Sequence, residues 1–340
     1  MKLTKIIALA GVLLALGMGS AFAAKKAANT NKLKVVTTIF PEYDWAREII
    51  GEKSGDVELT LLLNNGVDLH SYQPSVKDIA KIQEADIFVY VGGESDEWVD
   101  DVLKSAKNPN MKVINLLEVL GDKVKEEELV EGMQEEEDDD DHDEHGHEHH
   151  HDGDDDDDDE EIEFDEHVWL SLKNAQILCT EIASALSEKD AKNAAVYQKN
   201  LSAYNKKLAD LDARYSAAVK AGSKNTLVFG DRFPFRYLVD DYGLKYFAAF
   251  TGCSAESEAS FNTIIFLSEK VNELDLQRVC KIEGGNGKIA KTVISNSKNK
   301  KAKVLVFDPM QSTTAKQIKK GATYLGAMEK NLEVLKEALK

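Results

Sequence analysis

The sequence predicts an α/β chain built as two parallel-sheet lobes joined by a long rigid helix. Three observations carry this. Short β-branched runs alternate with helical patterns in both halves, and such alternation marks parallel strands covered by helices on both faces. Between the halves, residues 172–221 read as helix throughout, with no Pro and no Gly. Finally, the 340 residues, less a leader of 23, are enough for two domains of ordinary size.

The elements follow in order. Residues 1–23 read as a cleavable secretory signal, because Lys2 and Lys5 precede an apolar run and small residues end it at Ala21-Phe22-Ala23. The run is too short to anchor the chain in a bilayer. No cysteine follows directly for lipid attachment, so a periplasmic or equivalent exported location is expected. The N-terminal lobe is placed at 32–171, with buried strands at 34–40, 57–63, 87–91 and 113–116 and helices at 43–50 and 75–83. Residues 126–164 interrupt it as an acidic, His-rich insertion without apolar periodicity, expected to be disordered. Linker helices occupy 172–222, with Ser187 and Asp190 marking a restart, after which about thirty residues would extend for roughly 50 Å. The C-terminal lobe takes 223–340, with strands at 227–229, 246–250, 279–282 and 304–307 and helices at 235–242, 260–273, 287–297 and 323–339.

The formal charge of −19 belongs to one place. Residues 135–161 hold nineteen Asp and Glu and no Lys or Arg, which leaves 42 acidic against 42 basic residues elsewhere. No basic stripe exists, which argues against nucleic-acid binding. Of three cysteines, Cys253 and Cys280 are the expected disulfide in an oxidising compartment, against the alternative of three free thiols.

Outside the insertion there are two histidines, His70 and His167. The first follows a predicted strand, and the second precedes the long helical stretch. Asp231 and Asp308 follow strands of the second half. Ligands of open α/β sheets gather at the carboxyl ends of strands, so two imidazoles and two carboxylates converging there suit a metal site in the cleft between lobes. The insertion adds His142, His145, His147, His149, His150 and His151 among carboxylates, a set able to hold zinc through weak, exchangeable contacts.

The surroundings of these residues resemble the zinc and manganese binding proteins of ABC importers, over nearly the whole chain past the leader. The resemblance is carried by Val35-Val36-Thr37-Thr38-Ile39-Phe40-Pro41, by His70-Ser71-Tyr72-Gln73-Pro74-Ser75 and by His167-Val168-Trp169-Leu170-Ser171. It implies His70 and His167 as ligands, Asp231 at the place where relatives carry a third His or a Glu, and Asp308 as a final carboxylate. Glu166 stands where relatives have Pro. A His-rich insertion before the second ligand is typical of the zinc branch. The implied role is that of a monomeric carrier of Zn2+, with Mn2+ as the alternative cargo, delivering to the membrane permease of an ABC transporter. A secreted zinc hydrolase is the rival reading. The chain lacks His-Glu-x-x-His and Gly-x-Ser-x-Gly, and offers no further histidine for catalysis.

Overall fold

The computed structural model describes residues 32–134, 163–254 and 258–340. The leader expected at 1–23 and all six insertion histidines lie outside the described residues.

The N-terminal lobe runs β1 (Leu33–Thr37), α1 (Phe40–Ile50), β2 (Val57–Leu61), α2 (Val76–Gln83), β3 (Ile87–Tyr90), α3 (Trp98–Lys104), β4 (Lys112–Asn115) and α4 (Leu116–Leu120). Its strands are all parallel, in the order β2-β1-β3-β4. Two long helices follow, α5 (Leu172–Lys189) and α6 (Ala194–Ala221). The C-terminal lobe runs β5 (Thr226–Arg232), α7 (Arg236–Tyr242), β6 (Lys245–Phe250), α8 (Phe261–Glu273), β7 (Arg278–Ile282), α9 (Lys288–Asn296), β8 (Lys303–Phe307), α10 (Ala315–Lys319) and α11 (Tyr324–Ala338). Its sheet is again parallel, in the order β6-β5-β7-β8. Both sheets therefore reverse direction beside their first strand, which creates a crevice at the carboxyl ends.

The first strand is shorter than its β-branched run suggests. It ends at Thr37 because Glu42, fully buried, accepts hydrogen bonds from the Thr38 and Ile39 backbone amides (2.8 and 3.2 Å) and starts α1 at Phe40. Pro41 falls in the first turn, where a missing N–H leaves nothing unpaired.

The helix pair restarts at Asp190, whose Oδ2 accepts from Asn193 and Tyr197 (both 2.7 Å), while Ser187 stays inside α5. Gln198 reaches Ser187 and Asn205 reaches Gln176, so the two helices run antiparallel. The 28 residues of α6 span about 42 Å. One end meets the N-terminal lobe, where Asn200 donates to the Ile49 carbonyl (2.9 Å). The other meets the C-terminal lobe, where Tyr215 donates to the Met328 carbonyl (2.6 Å).

One connected apolar core runs from Val35 and Phe88 through Leu178 and Leu208 to Phe229 and Phe307, under both sheets. A second cluster lies within the C-terminal lobe, between its sheet and α8 and α9. Trp169, Phe233 and Phe235 belong to the core, each 2% exposed or less. Among the described residues no helix is long and apolar enough to cross a membrane.

The flanks of the acidic insertion are folded. Glu126 pairs with Phe164 in an antiparallel bridge, and the Glu127 amide donates to the Glu163 carbonyl (2.9 Å). From there the chain lies along the C-terminal lobe. Glu128 pairs with Arg236, the Gln134 amide donates to the Ala249 carbonyl (3.0 Å), and Gln134 Oε1 accepts from the Ser260 amide (2.7 Å).

Candidate metal site

His70 and His167, 97 positions apart in sequence, meet in the cleft with their Nε2 atoms 3.1 Å apart. His70 sits in a one-turn helix, Leu69–Ser71, beyond β2, and the turn is capped by Asp68, which accepts from the His70 amide (3.3 Å). His167, fully buried, is reached by the loop that precedes α5, and its amide donates to Asp165 (2.8 Å). Both histidines thus follow an Asp two residues earlier that fixes the backbone under the ring. This Asp-x-His pattern is visible in the sequence and marks the two positions as alike.

The remaining contacts decide which ring nitrogen carries the hydrogen. His167 Nδ1 faces Asp165 Oδ1 at 2.9 Å, so it donates there. His70 Nδ1 faces Ser95 Oγ at 2.8 Å, with Glu166 Oε2 at 3.5 Å. Gln311 Nε2 lies 2.9 Å from both Nε2 atoms. One amide nitrogen has two hydrogens, one for each ring, so both Nε2 atoms present lone pairs to the same point. Carboxylates behind the rings hold ligating histidines in this tautomer. Burial pushes His167 down to about 3, with Arg232 adding to it. Burial and the neighbouring His167 push His70 to about 3 as well. The rings are therefore neutral at physiological pH, which is the form a metal requires.

Around them stand buried acids. Burial raises Asp165 to about 7 and Glu166 to about 8. Glu166 Oε1 accepts from the Ser95 amide (2.8 Å), so this side chain ties the second histidine's loop to the first histidine's partner. The raised acids give a sign to stability. Their folded forms keep protons that the unfolded chain releases above pH ~4, so their stabilising contribution is complete below that and is lost as pH rises through 7 and 8. The histidines work in the opposite sense, but only below pH ~6.5, where the unfolded chain protonates them. Between pH 6.5 and 8.5 the buried acids dominate, and Glu42, which full burial also holds well above its ordinary value, acts in the same sense. The melting temperature of chelator-treated protein, followed by circular dichroism, is expected to fall by several degrees across that window. A rise would show that Asp165 and Glu166 are ionised in the fold.

A cavity of ≈ 430 Å³ opens beside the rings, lined by Asp68 and His70 on one side and by Asp231, Arg232, Cys253 and Glu283 on the other. Arg232 pairs with Asp68 across it. Among the described residues, the metal-capable side chains whose donor atoms lie within 4.8 Å of one another are His70, His167 and Cys253. Asp231 and Asp308 are not in that group. Asp231 lies in the irregular end of β5, where its carboxylate accepts from the Arg232 and Ile282 amides (3.1 and 3.3 Å). Asp308 accepts from the Met310 amide (2.8 Å), and burial together with the neighbouring Glu283 raises it to about 6.

The expected Cys253–Cys280 disulfide is not formed, and all three cysteines are free. Cys280 is paired in register with Phe229 in mid-sheet, whereas Cys253 follows β6 on the far side of β5. Two strand spacings are about 9.5 Å, beyond the reach of a bridge.

Sequence reasoning missed Gln311, Glu166 and Cys253. Glu166 and Asp165 were signalled by adjacency to His167. Gln311 carried no signal, because an amide is seldom a metal ligand and only the fold brings it here. Gly252 shows how tight the approach is, since a Cβ there would sit 3.0 Å from His167 Cε1.

Residues 35–338 match the family described as zinc-uptake complex component A, periplasmic. The zinc-binding protein AdcA of Streptococcus pyogenes is 31% identical over 325 residues, covering 92% of this chain and 57% of that protein. The chain thus spans a little over half that relative's length. The high-affinity zinc uptake system protein ZnuA of Bacillus subtilis is 33% identical over 309 residues, covering 91% of this chain and 88% of the relative. Among solved structures, the Zn(II)-bound ZnuA-like domain of Streptococcus pneumoniae AdcA superposes with a TM-score of 0.67 at 29% identity, over 91% of this chain and 99% of that one. With a match over nearly all the described residues and the same two-lobed fold, the chain belongs to the family of zinc-uptake complex component A, periplasmic.

Proposed function

We propose that this chain captures Zn2+ outside the cytoplasm as a monomer and delivers it to the membrane permease of an ABC importer. The observation that supports it best is the pair of neutral Nε2 atoms 3.1 Å apart with lone pairs converging. Two nitrogens on a tetrahedral zinc, each at about 2.05 Å, stand about 3.3 Å apart, so almost no backbone movement is needed. Gln311 occupies the point between them and swings aside as the ion enters. Asp231 and Asp308 are proposed as the carboxylates of the facing lobe, each reaching the ion by giving up its present partners. The histidines of residues 142–151 collect cations near the cleft.

Carriage fits better than hydrolysis. A hydrolytic zinc needs a general base on the side of its bound water. Glu166 stands behind the His70 ring, against Nδ1, and is tied to Ser95.

Deleting residues 135–161 tests the reading. One tight Zn2+ per chain should remain by metal analysis, and it should resist competition by Mn2+. Loss of all binding would mean that the insertion is the only store. A preference for Mn2+ would overturn the cargo.

A further inference from the structure

We propose that Cys253 is a protein ligand of the captured ion beside the two imidazole nitrogens, so that a single carboxylate of the facing lobe, Asp231 or Asp308, completes a four-donor set. The inference rests on the reading that the His70–His167 pair takes Zn2+. The thiol and one ring nitrogen from each histidine already lie within 4.8 Å of one another. On a tetrahedral zinc with bonds of about 2.3 Å to sulfur and 2.05 Å to nitrogen, sulfur and nitrogen stand about 3.6 Å apart. Closing that gap takes a rotation of the cysteine side chain and a small shift of its loop.

The surroundings are built for a close approach. Gly252 lies against the His167 ring, where a Cβ would come within 3.0 Å of Cε1 and of the Phe233 carbonyl, so the chain carrying Cys253 rests directly on the imidazole. The Cys253 amide is pinned by Glu127 Oε1 (3.0 Å). Independently, a polar atom at this point has no hydrogen-bond partner, although its residue is 2% exposed: Gln311 Oε1, on the amide that touches both rings. Unsatisfied buried acceptors are costly and call for a physical reason. A cation at the centre supplies one.

The other thiols do not compete. Cys179 in α5 and Cys280 in β7 are buried away from the cavity, whereas Cys253 lines it. On binding, the ion replaces the thiol proton, which leaves to water in the cavity. His70 and His167 come from the N-terminal lobe and Cys253 from the C-terminal lobe, so the ion joins the two. A soft thiolate also discriminates. It suits Zn2+ and disfavours Mn2+, which prefers oxygen.

The test uses the full chain, reduced, stripped of metal and loaded with one equivalent of Co2+. The near-ultraviolet charge-transfer band of a thiolate-bound cobalt is expected in the wild type and in Cys179→Ala, and lost in Cys253→Ser. Zinc affinity of Cys253→Ser should fall by about 10- to 100-fold, with the preference over Mn2+ narrowed. Co2+ bound in the wild type without the band would overturn the thiolate ligand and leave zinc capture standing, whether or not the variant folds. Unchanged zinc affinity in Cys253→Ser would do the same. A wild type that binds neither metal would sink the capture reading beneath it too.

Discussion

His167→Ala is expected to weaken zinc binding by at least about 100-fold, the largest single loss among the site residues. The ring is fully buried, supplies one of the two converging lone pairs and is held by Asp165 through both its Nδ1 and its backbone amide. Removing it takes away a ligand and one of the acceptors of the Gln311 amide, leaving His70 and Asp68. Titration against a chromogenic zinc chelator, on protein lacking residues 135–161, measures the effect. His70→Ala should match it within a few-fold, because each ring supplies an equivalent nitrogen. Affinity within about threefold of wild type for either variant would show that the pair does not hold the ion.

Trp169→Ala is expected to destabilise the fold by about 3–5 kcal/mol, lowering the melting temperature by about 10 °C. The indole is fully buried, and its Nε1–H donates to the Pro309 carbonyl in the other lobe (2.8 Å). Its own carbonyl accepts from Tyr324 (2.6 Å), and its ring packs against His167 with centroids 5.2 Å apart. The substitution opens a cavity, strands a buried carbonyl and frees one side of the second histidine. Zinc affinity should therefore drop alongside stability. Trp169→Phe keeps most of the volume and loses the hydrogen bond, so it should cost about 1–2 kcal/mol. Equal melting temperatures for the wild type and Trp169→Ala would mean that the lobes are not joined through this side chain.

Most of the architecture was legible because burial on both faces writes strands such as Ile87–Tyr90 as unbroken apolar runs, and because α5 and α6 lack any breaker. The end of β1 was not, since it depends on Glu42 folding back onto Thr38, a contact that a run of β-branched residues conceals. Within the site, His70 and His167 stood out by scarcity and by their neighbours. Gln311 and Cys253 have ordinary local sequence, and only the meeting of two lobes gives them meaning. The disulfide expectation failed for a related reason: sharing the C-terminal half says nothing about which strands lie between two sulfurs.

The continuous apolar interior beneath both sheets bears on how cargo leaves. Prising the halves apart would wet that interior, at about 25 cal/mol for every Å² uncovered, so a gape exposing a few hundred Å² would cost several kcal/mol. Unloading by turning a few residues at the mouth, beginning with the Arg232–Asp68 tie, avoids that cost. Under the proposed delivery, a docking permease would act less as a lever on whole lobes than as a competitor for single side chains.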